Sequence, residues 1–463
     1  MASPAPSPDA PRTTLAEDLR ALLDGPRELW LIYLATFFEY IGIFSFLQTL
    51  PLWLSDDFGM DDTKAGWWAA TFSTLVTLFM FLVGGIADSF GVRRTLILSF
   101  GLAAVTRLGM SWAPTSQAAI ATLLAFGVAY ATTSPVLQTA VQRASTPRTR
   151  AFAFSLWYVS FNVAGAVVGP VIDAVRGHFL APDPAKPGKD VLVKKVVELP
   201  IVGEHLMSAH AAILAMGFVA AAIAAVVVLA IRPGFEHAGA GSADASAAPP
   251  KKTNPLVAMK EVFGDRFFPR FLLMLALLSL VRMMFQHMHF TWPKYVTRME
   301  GDAFPVGTVW SINSMMIIVL APLGTALTRD RKPLEVLLVG AFISALSPFV
   351  LCFGSTMPYQ LGMIFVLTVG EALWSPRLYE YNVSIAPRGR EATYVSLAAL
   401  PYFLAKFLVG PTSGYLLATY VPVEGPRDPA MLWAIVGAST IIGPIGIFAL
   451  RKHFARPEEP AAA

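Results

Sequence analysis

Twelve segments of the chain are each apolar over about 20 residues, the length that a helix needs to cross the hydrocarbon core of a bilayer. They lie at 29–54, 65–87, 95–112, 118–141, 151–171 and 209–231, and then at 267–292, 306–327, 334–353, 359–385, 392–420 and 431–450. Only 14% of the 463 residues are charged, whereas soluble proteins have about 25%. The sequence therefore predicts an all-α membrane protein with twelve transmembrane helices.

Several other classes of protein are excluded by the residue pattern. The single cysteine, Cys352, cannot form an internal disulfide. The sequence has no Cys/His spacing of a metal site, no phosphate-binding loop and no Gly-x-Ser-x-Gly turn. We therefore expect neither an enzyme nor a bound metal or cofactor.

The net charge of +4 is explained by topology. Lys and Arg concentrate in the N-terminal tail, in the central loop and in the loops after the second, fourth, eighth and tenth segments. Because positive loops stay in the cytoplasm, both termini are expected there, in a plasma or inner membrane. Nucleic-acid binding is not expected. On the outer side, Asp173 and Arg176 are expected to be solvated, and the β-prone stretch 190–203 is expected to form a small hairpin.

An internal repeat relates the two halves of the chain. Pro147-Arg148-Thr149-Arg150 recurs about 240 residues later as Pro387-Arg388-Gly389-Arg390, and Ser134-Pro135 recurs at nearly the same offset as Ser375-Pro376. Two repeats that both start on the cytoplasmic side are related by an axis along the membrane normal. The sequence predicts two pseudo-symmetric six-helix bundles, an arrangement typical of transporters.

Five regions follow from this repeat. They are a cytoplasmic tail (1–27), an N-terminal six-helix bundle (28–231), a cytoplasmic linker (232–266), a C-terminal six-helix bundle (267–451) and a second cytoplasmic tail (452–463). The linker is flexible by composition, and its residues 255–264 are expected to form a short amphipathic helix on the inner surface.

The loop after the second segment carries a family motif. Gly84-x-x-x-Asp88-x-x-Gly91-x-Arg93-Arg94 resembles a motif of the major facilitator superfamily, although Ser89 replaces the usual basic residue. The resemblance implies the major facilitator fold, and it implies that Asp88, Arg93 and Arg94 form a conformational gate. The alternative is that the two arginines only anchor a short loop.

A narrower resemblance is to the proton-dependent oligopeptide transporter family. Gly370-Glu371, followed by Trp374-Ser375-Pro376, is similar to its Gly-Glu-x-x-x-Ser-Pro signature, and Trp157-Tyr158-x-x-x-Asn162 is similar to a second motif. The resemblance implies that Glu371, Trp374, Tyr158 and Asn162 contact substrate.

Three positions depart from the pattern of that family. Glu39 remains from a Glu-x-x-Glu-Arg motif, Ser134 replaces a lysine, and Gln286 replaces an acidic residue. In the family these positions serve proton coupling and carboxylate recognition.

Ionisable residues lie deep inside the predicted spans. Burying one in hydrocarbon costs about 2.5–3.5 kcal/mol on insertion scales, so each needs a partner or a water-filled cavity. These residues are Glu39, Arg282, His287, His289, Glu371 and Lys406. Glu371 with Lys406, or Glu39 with Arg282, would neutralise each other. Arg107 lies nearer the outer surface and is expected to snorkel towards it; its role, like that of Lys406, stays open.

One helical face of the seventh span carries Arg282, Gln286 and His289, at positions i, i+4 and i+7. We expect this face to line a water-filled cavity and to contact substrate, whereas His287 lies on another face and is expected to be structural. Glu371 is expected to bind a substrate amine or the coupled proton, with Glu39 as the second proton candidate. Arg282 is expected to attract a carboxylate or phosphate.

Three functional hypotheses follow. The first is a secondary active transporter, a proton-coupled symporter acting as a monomer, for a small polar or zwitterionic solute, peptide-like as the first guess, by alternating access. The second is an amphiphile or drug exporter on the same fold, for which the small-residue face at Gly165 and Gly169 is an argument. The third is a membrane sensor that binds a ligand without transport.

Overall fold

The structure, a computed structural model, describes residues 25–146, 149–185, 187–199, 203–235, 268–328, 330–385 and 400–451. These ranges contain thirteen helices. The helices are α1 (Arg27–Asp56), α2 (Asp62–Phe90), α3 (Val92–Ser111), α4 (Ser116–Ala144), α5 (Arg150–His178), α6 (Ala209–Leu229), α7 (Phe268–Phe290), α8 (Trp292–Glu300), α9 (Val306–Leu327), α10 (Pro333–Val350), α11 (Met357–Ile385), α12 (Leu400–Tyr420) and α13 (Pro429–Ala449).

Twelve of these helices correspond to the twelve expected spans, and eight are long and apolar enough by composition alone to cross a membrane. The thirteenth, α8, is a short continuation of α7 that the apolar pattern does not predict. It carries Lys294 and Arg298. The expected linker helix at 255–264 and the expected start of the eleventh span at 392 lie outside the described residues.

Between α5 and α6 the described residues form four short strands. They are β1 (Leu180–Pro182), β2 (Asp190–Leu192), β3 (Lys195–Leu199) and β4 (Gly203–Met207), and they pair as two antiparallel hairpins, β1–β2 and β3–β4. The expectation of one hairpin at 190–203 is wrong. Strand β2 pairs with β1, which precedes it in the chain, and β3 pairs with β4 in a second hairpin. We call this side of the molecule the hairpin face, and the side where α1 begins and α13 ends the terminal face.

Helices α1–α6 and α7–α13 form the two bundles, the N half and the C half. Where the halves meet near the hairpin face, glycines bring helix backbones into contact. A Cβ on Gly169 of α5 would overlap the carbonyl oxygen of Gly307 on α9, and a Cβ on Gly66 of α2 would overlap that of Gly410 on α12. These two crossings seal the halves against each other at the hairpin face, as small residues do between membrane helices.

Candidate functional site

A polar cluster in the C half surrounds Glu371 of α11. Asn313 of α9 donates from Nδ2 to the Glu371 carboxylate at 2.9 Å and to the Thr368 hydroxyl at 3.0 Å. Glu371 and Asn313 are both half-buried. Because an amide donor fixes the carboxylate between two helices, Glu371 has a defined orientation in the C half.

The cluster lies at mid-depth in the bundle. Glu371, Asn313 and Arg282 each stand 14 residues from the terminal-face end of their helix. At about 1.5 Å per residue, this places all three roughly 21 Å from that face. The helices therefore bring a carboxylate, an amide and a guanidinium to one level.

Trp374 lies in the core of the C half in this structure. Its indole Nε1 donates to the Ser344 hydroxyl at 3.0 Å, and the side chain is buried in the core between α10 and α11. The guanidinium of Arg282 lies over the Trp374 ring, 5.4 Å from its centre. Trp374 thus positions Arg282 beside Glu371.

The face of α7 that carries Arg282 continues towards the hairpin face with Gln286 and His289. His289 Nδ1 lies 2.6 Å from the carbonyl oxygen of Phe285, so Nδ1 carries a proton. Its Nε2 is buried, without a hydrogen-bond partner among the described residues. Gln286 is 5% exposed, and Lys406 of α12 is half-buried and acts electrostatically on His289.

The N half presents an aromatic wall, which we define as Tyr40 and Phe44 of α1 with Trp157, Tyr158 and Phe161 of α5. Tyr40 stacks on Phe161 with ring centres 4.9 Å apart and an angle of 24° between the planes. Trp157 and Tyr158 meet Phe161 edge-on at 5.2 and 4.8 Å. All five rings are half-buried, so part of each ring surface stays uncovered.

Asn162 lies behind this wall. Its Nδ2 donates to the carbonyl oxygen of Tyr158 at 2.9 Å, one turn earlier on α5, and the residue is 5% exposed. Its amide therefore bonds within its own helix, as a structural asparagine does.

The aromatic wall touches the C half at one level. Phe44 packs on Trp310 of α9 with ring centres 5.0 Å apart, and Trp310 in turn meets the His289 ring at 5.7 Å. Tyr40 lies one turn nearer the terminal face than Phe44. The Phe44–Trp310 contact therefore joins the aromatic wall to α9, about one turn from Asn313.

Glu39 and Arg107 form a buried ion pair inside the N half. Arg107 of α3 donates from Nη1 and Nη2 to the two carboxylate oxygens of Glu39 at 3.1 Å each, and both side chains are fully buried. The expectation that Arg107 snorkels to the surface is wrong, as is the pairing of Glu39 with Arg282. Gly42 leaves the space that the guanidinium fills, since a Cβ there would lie 2.5 Å from Nη1.

A charged cluster joins the halves at the hairpin face. Arg298 of α8 binds the Asp62 carboxylate through two nitrogens at 2.7 and 2.8 Å, and Lys294 binds it at 3.0 Å. Lys294 also donates to the Ser55 hydroxyl of α1. Burial lowers the pKa of Lys294, and the Asp62 carboxylate opposes that shift. Asp62 on α2 and Ser55 on α1 are thus tied to the C half.

Asp173 and Arg176 also cross between the halves. The Asp173 carboxylate accepts the backbone N–H groups of Gly307 at 2.9 Å and Thr308 at 2.6 Å, which are at the start of α9. Arg176 is 3% exposed and donates to the carbonyl oxygen of Asp302 at 3.0 Å. The expectation that both residues are solvated is wrong, because the N-terminus of α9 approaches the end of α5.

Gln48 is buried near the same seal. It lies two turns beyond Tyr40 on α1 and is 3% exposed. Neither its amide nitrogen nor its amide oxygen has a hydrogen-bond partner in the part of the chain that the structure describes. Such a group costs about 1–3 kcal/mol, so Gln48 weakens the state in which it is buried.

The motif at the terminal face is described in part. Arg93 donates from Nε to the carbonyl oxygen of Ile231 at 2.7 Å and from Nη2 to that of Leu229 at 2.9 Å, at the end of α6. Arg94 is exposed. The side chain of Asp88 lies outside the described residues. The described bonds of Arg93 anchor α3 to α6 within the N half.

Sequence reasoning found Trp157 and Tyr158 of the aromatic wall but missed Phe44 and Phe161, and it missed Asn313 and the cluster at Asp62. Asn313 is uncharged, so a search for charges inside spans passes over it. Its position 14 residues from the helix end, the same as that of Glu371, is the signal that points to it. Asp62, Lys294 and Arg298 lie in short connections, where the sequence pattern favours solvated charges.

Comparisons with known proteins agree with this architecture. Residues 32–411 match the Major Facilitator Superfamily. The chain is 21% identical over 444 residues to the uncharacterized MFS-type transporter YqjV of Bacillus subtilis (strain 168), covering 93% of this chain and 97% of that protein.

Solved transporters share the fold at low sequence identity. The nucleoside transporter NupG is similar with a TM-score of 0.69 and 13% identity, over 92% of this chain and 100% of that one. A POT family transporter in complex with 5-aminolevulinic acid is similar with a TM-score of 0.68 and 13% identity, over 93% and 97%. With twelve spanning helices in two bundles and a family match over most of its length, the chain belongs to the major facilitator superfamily and is an integral multi-pass membrane transporter.

Proposed function

We propose that this transporter carries a small polar or zwitterionic organic solute by alternating access, and that it couples transport to protons through Glu371. The observation that carries the proposal is the half-buried carboxylate of Glu371, held by Asn313 at mid-depth in the C half. A carboxylate at this depth marks substrate or proton pathways in membrane proteins.

The closed hairpin face supports alternating access. Asp62 binds Lys294 and Arg298, Asp173 caps α9, and two glycine crossings join the backbones. With both termini in the cytoplasm, as the positive loops indicate, this is a state closed to the outside. Opening to the outside then requires these contacts to break.

Glu371 is favoured over Glu39 as the proton carrier. Both oxygens of Glu39 bind Arg107 in a fully buried pair, so Glu39 reaches neither solvent nor substrate in this state. Glu371 keeps part of its surface exposed. We therefore assign the proton to Glu371 alone and treat Glu39 as a structural residue.

Among solutes, peptide-like molecules are tested first, because POT family transporters are among the structural neighbours. Nucleosides are tested beside them, since NupG shares the fold.

Uptake into proteoliposomes tests the proposal. Purified protein is reconstituted, and accumulation of dipeptides and nucleosides is measured with and without an imposed pH gradient. We expect Glu371→Gln to abolish gradient-driven accumulation but to keep exchange of solute in counterflow, where no proton needs to move. Glu335→Gln, an exposed carboxylate at the start of α10, is the matched control and is expected to transport normally. Gradient-driven accumulation by Glu371→Gln at the rate of the unmodified protein would contradict proton coupling through this residue.

An amphiphile exporter is the second candidate, favoured by the half-buried rings of the aromatic wall. It predicts counterflow of apolar organic cations together with no exchange of dipeptides or nucleosides. The same proteoliposomes distinguish the two candidates.

A further inference from the structure

A cavity of about 790 Å³ lies at the hairpin face, beside the Asp62 cluster. Its walls come from the end of α1, the start of α6 and strand β2 in the N half, and from α8 and the turn after it in the C half. Proteins bind small ligands in cavities of about 300–1,000 Å³. The side chains around this space therefore indicate what it can bind.

The charges around the cavity favour a cation. Asp62 is occupied by Lys294 and Arg298. Apart from these three residues and His210, the charged side chains in the described lining are four carboxylates and one lysine. They are Asp56, Asp57, Asp61, Asp302 and Lys194. The excess of carboxylates attracts positive charge but does not by itself define a site.

His210, at the start of α6, adds a ligand of a different kind. Its side chain is 4% exposed, and Nδ1 lies 3.4 Å from Oδ1 of Asp57. Asp57 is itself held in place, because the Ser208 hydroxyl donates to its Oδ2 at 2.6 Å. An ionised carboxylate only accepts hydrogen bonds, so this contact favours a proton on Nδ1 and a lone pair on Nε2.

The Nε2 atom of His210 faces a second carboxylate. It lies 3.7 Å from Oδ2 of Asp56 and has no hydrogen-bond partner within the described ranges. This separation is too long for a hydrogen bond. A tetrahedral Zn²⁺ ion, with bonds of about 2.0–2.2 Å, would hold the two atoms about 3.4 Å apart. The gap between these two acceptors therefore fits a metal ion better than a proton.

We propose that Nε2 of His210 and Oδ2 of Asp56 bind a divalent transition-metal ion, with Zn²⁺ as the first choice. The Asp56 side chain is 54% exposed, so water from the cavity can complete the coordination. Asp57 orients the imidazole, as carboxylates do for metal-binding histidines. Because Mg²⁺ and Ca²⁺ prefer oxygen ligands, the imidazole nitrogen favours zinc over both.

A metal ion at this position is expected to favour the closed hairpin face. Asp302 of the C half lines the same cavity, and its Oδ2 accepts the backbone N–H of Leu192 at 3.1 Å. Asp302 and Asp56 repel each other electrostatically. A divalent ion on Asp56 replaces this repulsion between the halves by attraction. The site is separate from the Glu371 cluster, so its test does not depend on the identity of the solute.

Calorimetric titration of zinc chloride into the purified protein, with any affinity tag removed, tests the site. We expect the unmodified protein to bind zinc. His210→Ala and Asp56→Asn are each expected to weaken binding at least tenfold, and Asp57→Asn about tenfold through the orientation of the imidazole. No zinc binding by the unmodified protein, or equal binding by His210→Ala, would overturn the proposal.

Two matched controls separate this site from other surface groups. His205→Ala removes an exposed histidine of β4, and Asp61→Asn removes an exposed carboxylate of the same cavity. Both are expected to bind zinc like the unmodified protein. Calcium chloride that binds as tightly as zinc would contradict a role for the imidazole. Zinc is also expected to raise the midpoint of thermal unfolding of the unmodified protein, and the midpoints without metal identify any variant that is misfolded.

Maleimide labelling of Ser311→Cys, in a Cys352→Ser background, tests the effect on closure, because Ser311 is fully buried at the seal. Saturating zinc is expected to lower labelling about fivefold. Asp302→Asn, which keeps an acceptor for the Leu192 N–H but loses the charge, is expected to reduce this effect. Labelling that zinc raises or leaves unchanged would overturn the link between the metal site and closure.

Discussion

Asp173 on α5 accepts the backbone N–H of Thr308 at 2.6 Å, so a carboxylate of the N half caps the N-terminus of a helix in the C half. A helix start carries unsatisfied N–H groups and a partial positive charge. Pro305, which precedes α9, has no side chain able to cap it. The cap of α9 therefore exists only while the hairpin face is closed.

Removing this cap is expected to open the hairpin face. A helix cap contributes about 0.5–2 kcal/mol, so Asp173→Ala is expected to raise the population open to the hairpin side about fivefold. Maleimide labelling of Ser311→Cys, in a Cys352→Ser background, measures it, because Ser311 is fully buried at the seal. Thr115→Ala removes a cap within the N half and is expected to leave labelling unchanged. Unchanged labelling in Asp173→Ala would show that this cap does not keep the hairpin face closed.

Asp62→Asn is expected to open the same face and to raise labelling tenfold or more, because it leaves the buried Lys294 and the half-buried Arg298 without the Asp62 carboxylate. Asp61→Asn, an exposed neighbour, is the control. If both variants label alike, the cluster does not act as a latch.

Opening of the hairpin face in the Asp62→Asn variant is also expected to depend on pH. Burial lowers the pKa of Lys294 and Asp62 opposes the shift, so without the carboxylate the pKa of Lys294 falls further. A group whose pKa is lowered by closing favours the closed state as pH rises between that lowered value and its ordinary value of about 10.4. Because the thiolate is the form that reacts with maleimide, labelling of the variant is taken at each pH relative to that of the protein with Asp62 intact. This ratio should decrease from pH 7 to pH 9, and an increase over that range would contradict this account.

The Glu39–Arg107 pair makes an asymmetric prediction. Glu39 alone in the core can take up a proton, whereas Arg107 alone cannot lose one. Glu39→Gln is therefore expected to destabilise the protein by about 3–5 kcal/mol, and Arg107→Met by less. Combining the two substitutions should recover part of the loss. Thermal unfolding in detergent measures the order of stability of the three variants. A double variant less stable than Glu39→Gln would show that removing Arg107 does not compensate for the loss of Glu39.

Gln48→Met is expected to stabilise the closed state, because it removes two buried atoms without partners. The midpoint of unfolding should rise, and labelling of Ser311→Cys should fall. Gln360→Met is expected to lower the midpoint of unfolding, because the Gln360 amide accepts from the Trp292 indole at 2.8 Å and donates to the Ser355 carbonyl oxygen at 2.6 Å. Equal effects of the two substitutions would mean that Gln48 has a partner in solution.

The helices and the position of Glu371 follow from the sequence for one reason. Apolar runs of this length are stable only across a membrane, and a carboxylate inside one needs a polar environment. Depth along a helix can be counted from its ends, so the common level of Glu371 and Arg282 was predictable.

The rotation of each helix about its axis, which decides which side chains meet, could not be predicted by counting residues from the helix ends. Glu39 and Arg107 are 68 residues apart, and only the packing of α1 on α3 decides that they meet rather than face the other half. The cap on Thr308 is harder still to predict from the sequence, because the capping residue, Asp173, lies 135 residues away in the other bundle. Contacts of this kind depend on the closed state as much as on the fold.

The crossings of Gly169 with Gly307 and of Gly66 with Gly410 have a consequence for turnover. Main chain meets main chain there, so closing immobilises almost no side-chain torsions, each of which would otherwise have to be ordered and released again in every transport cycle. A seal of this kind separates two compartments firmly while adding little to the barrier between the two orientations of the carrier.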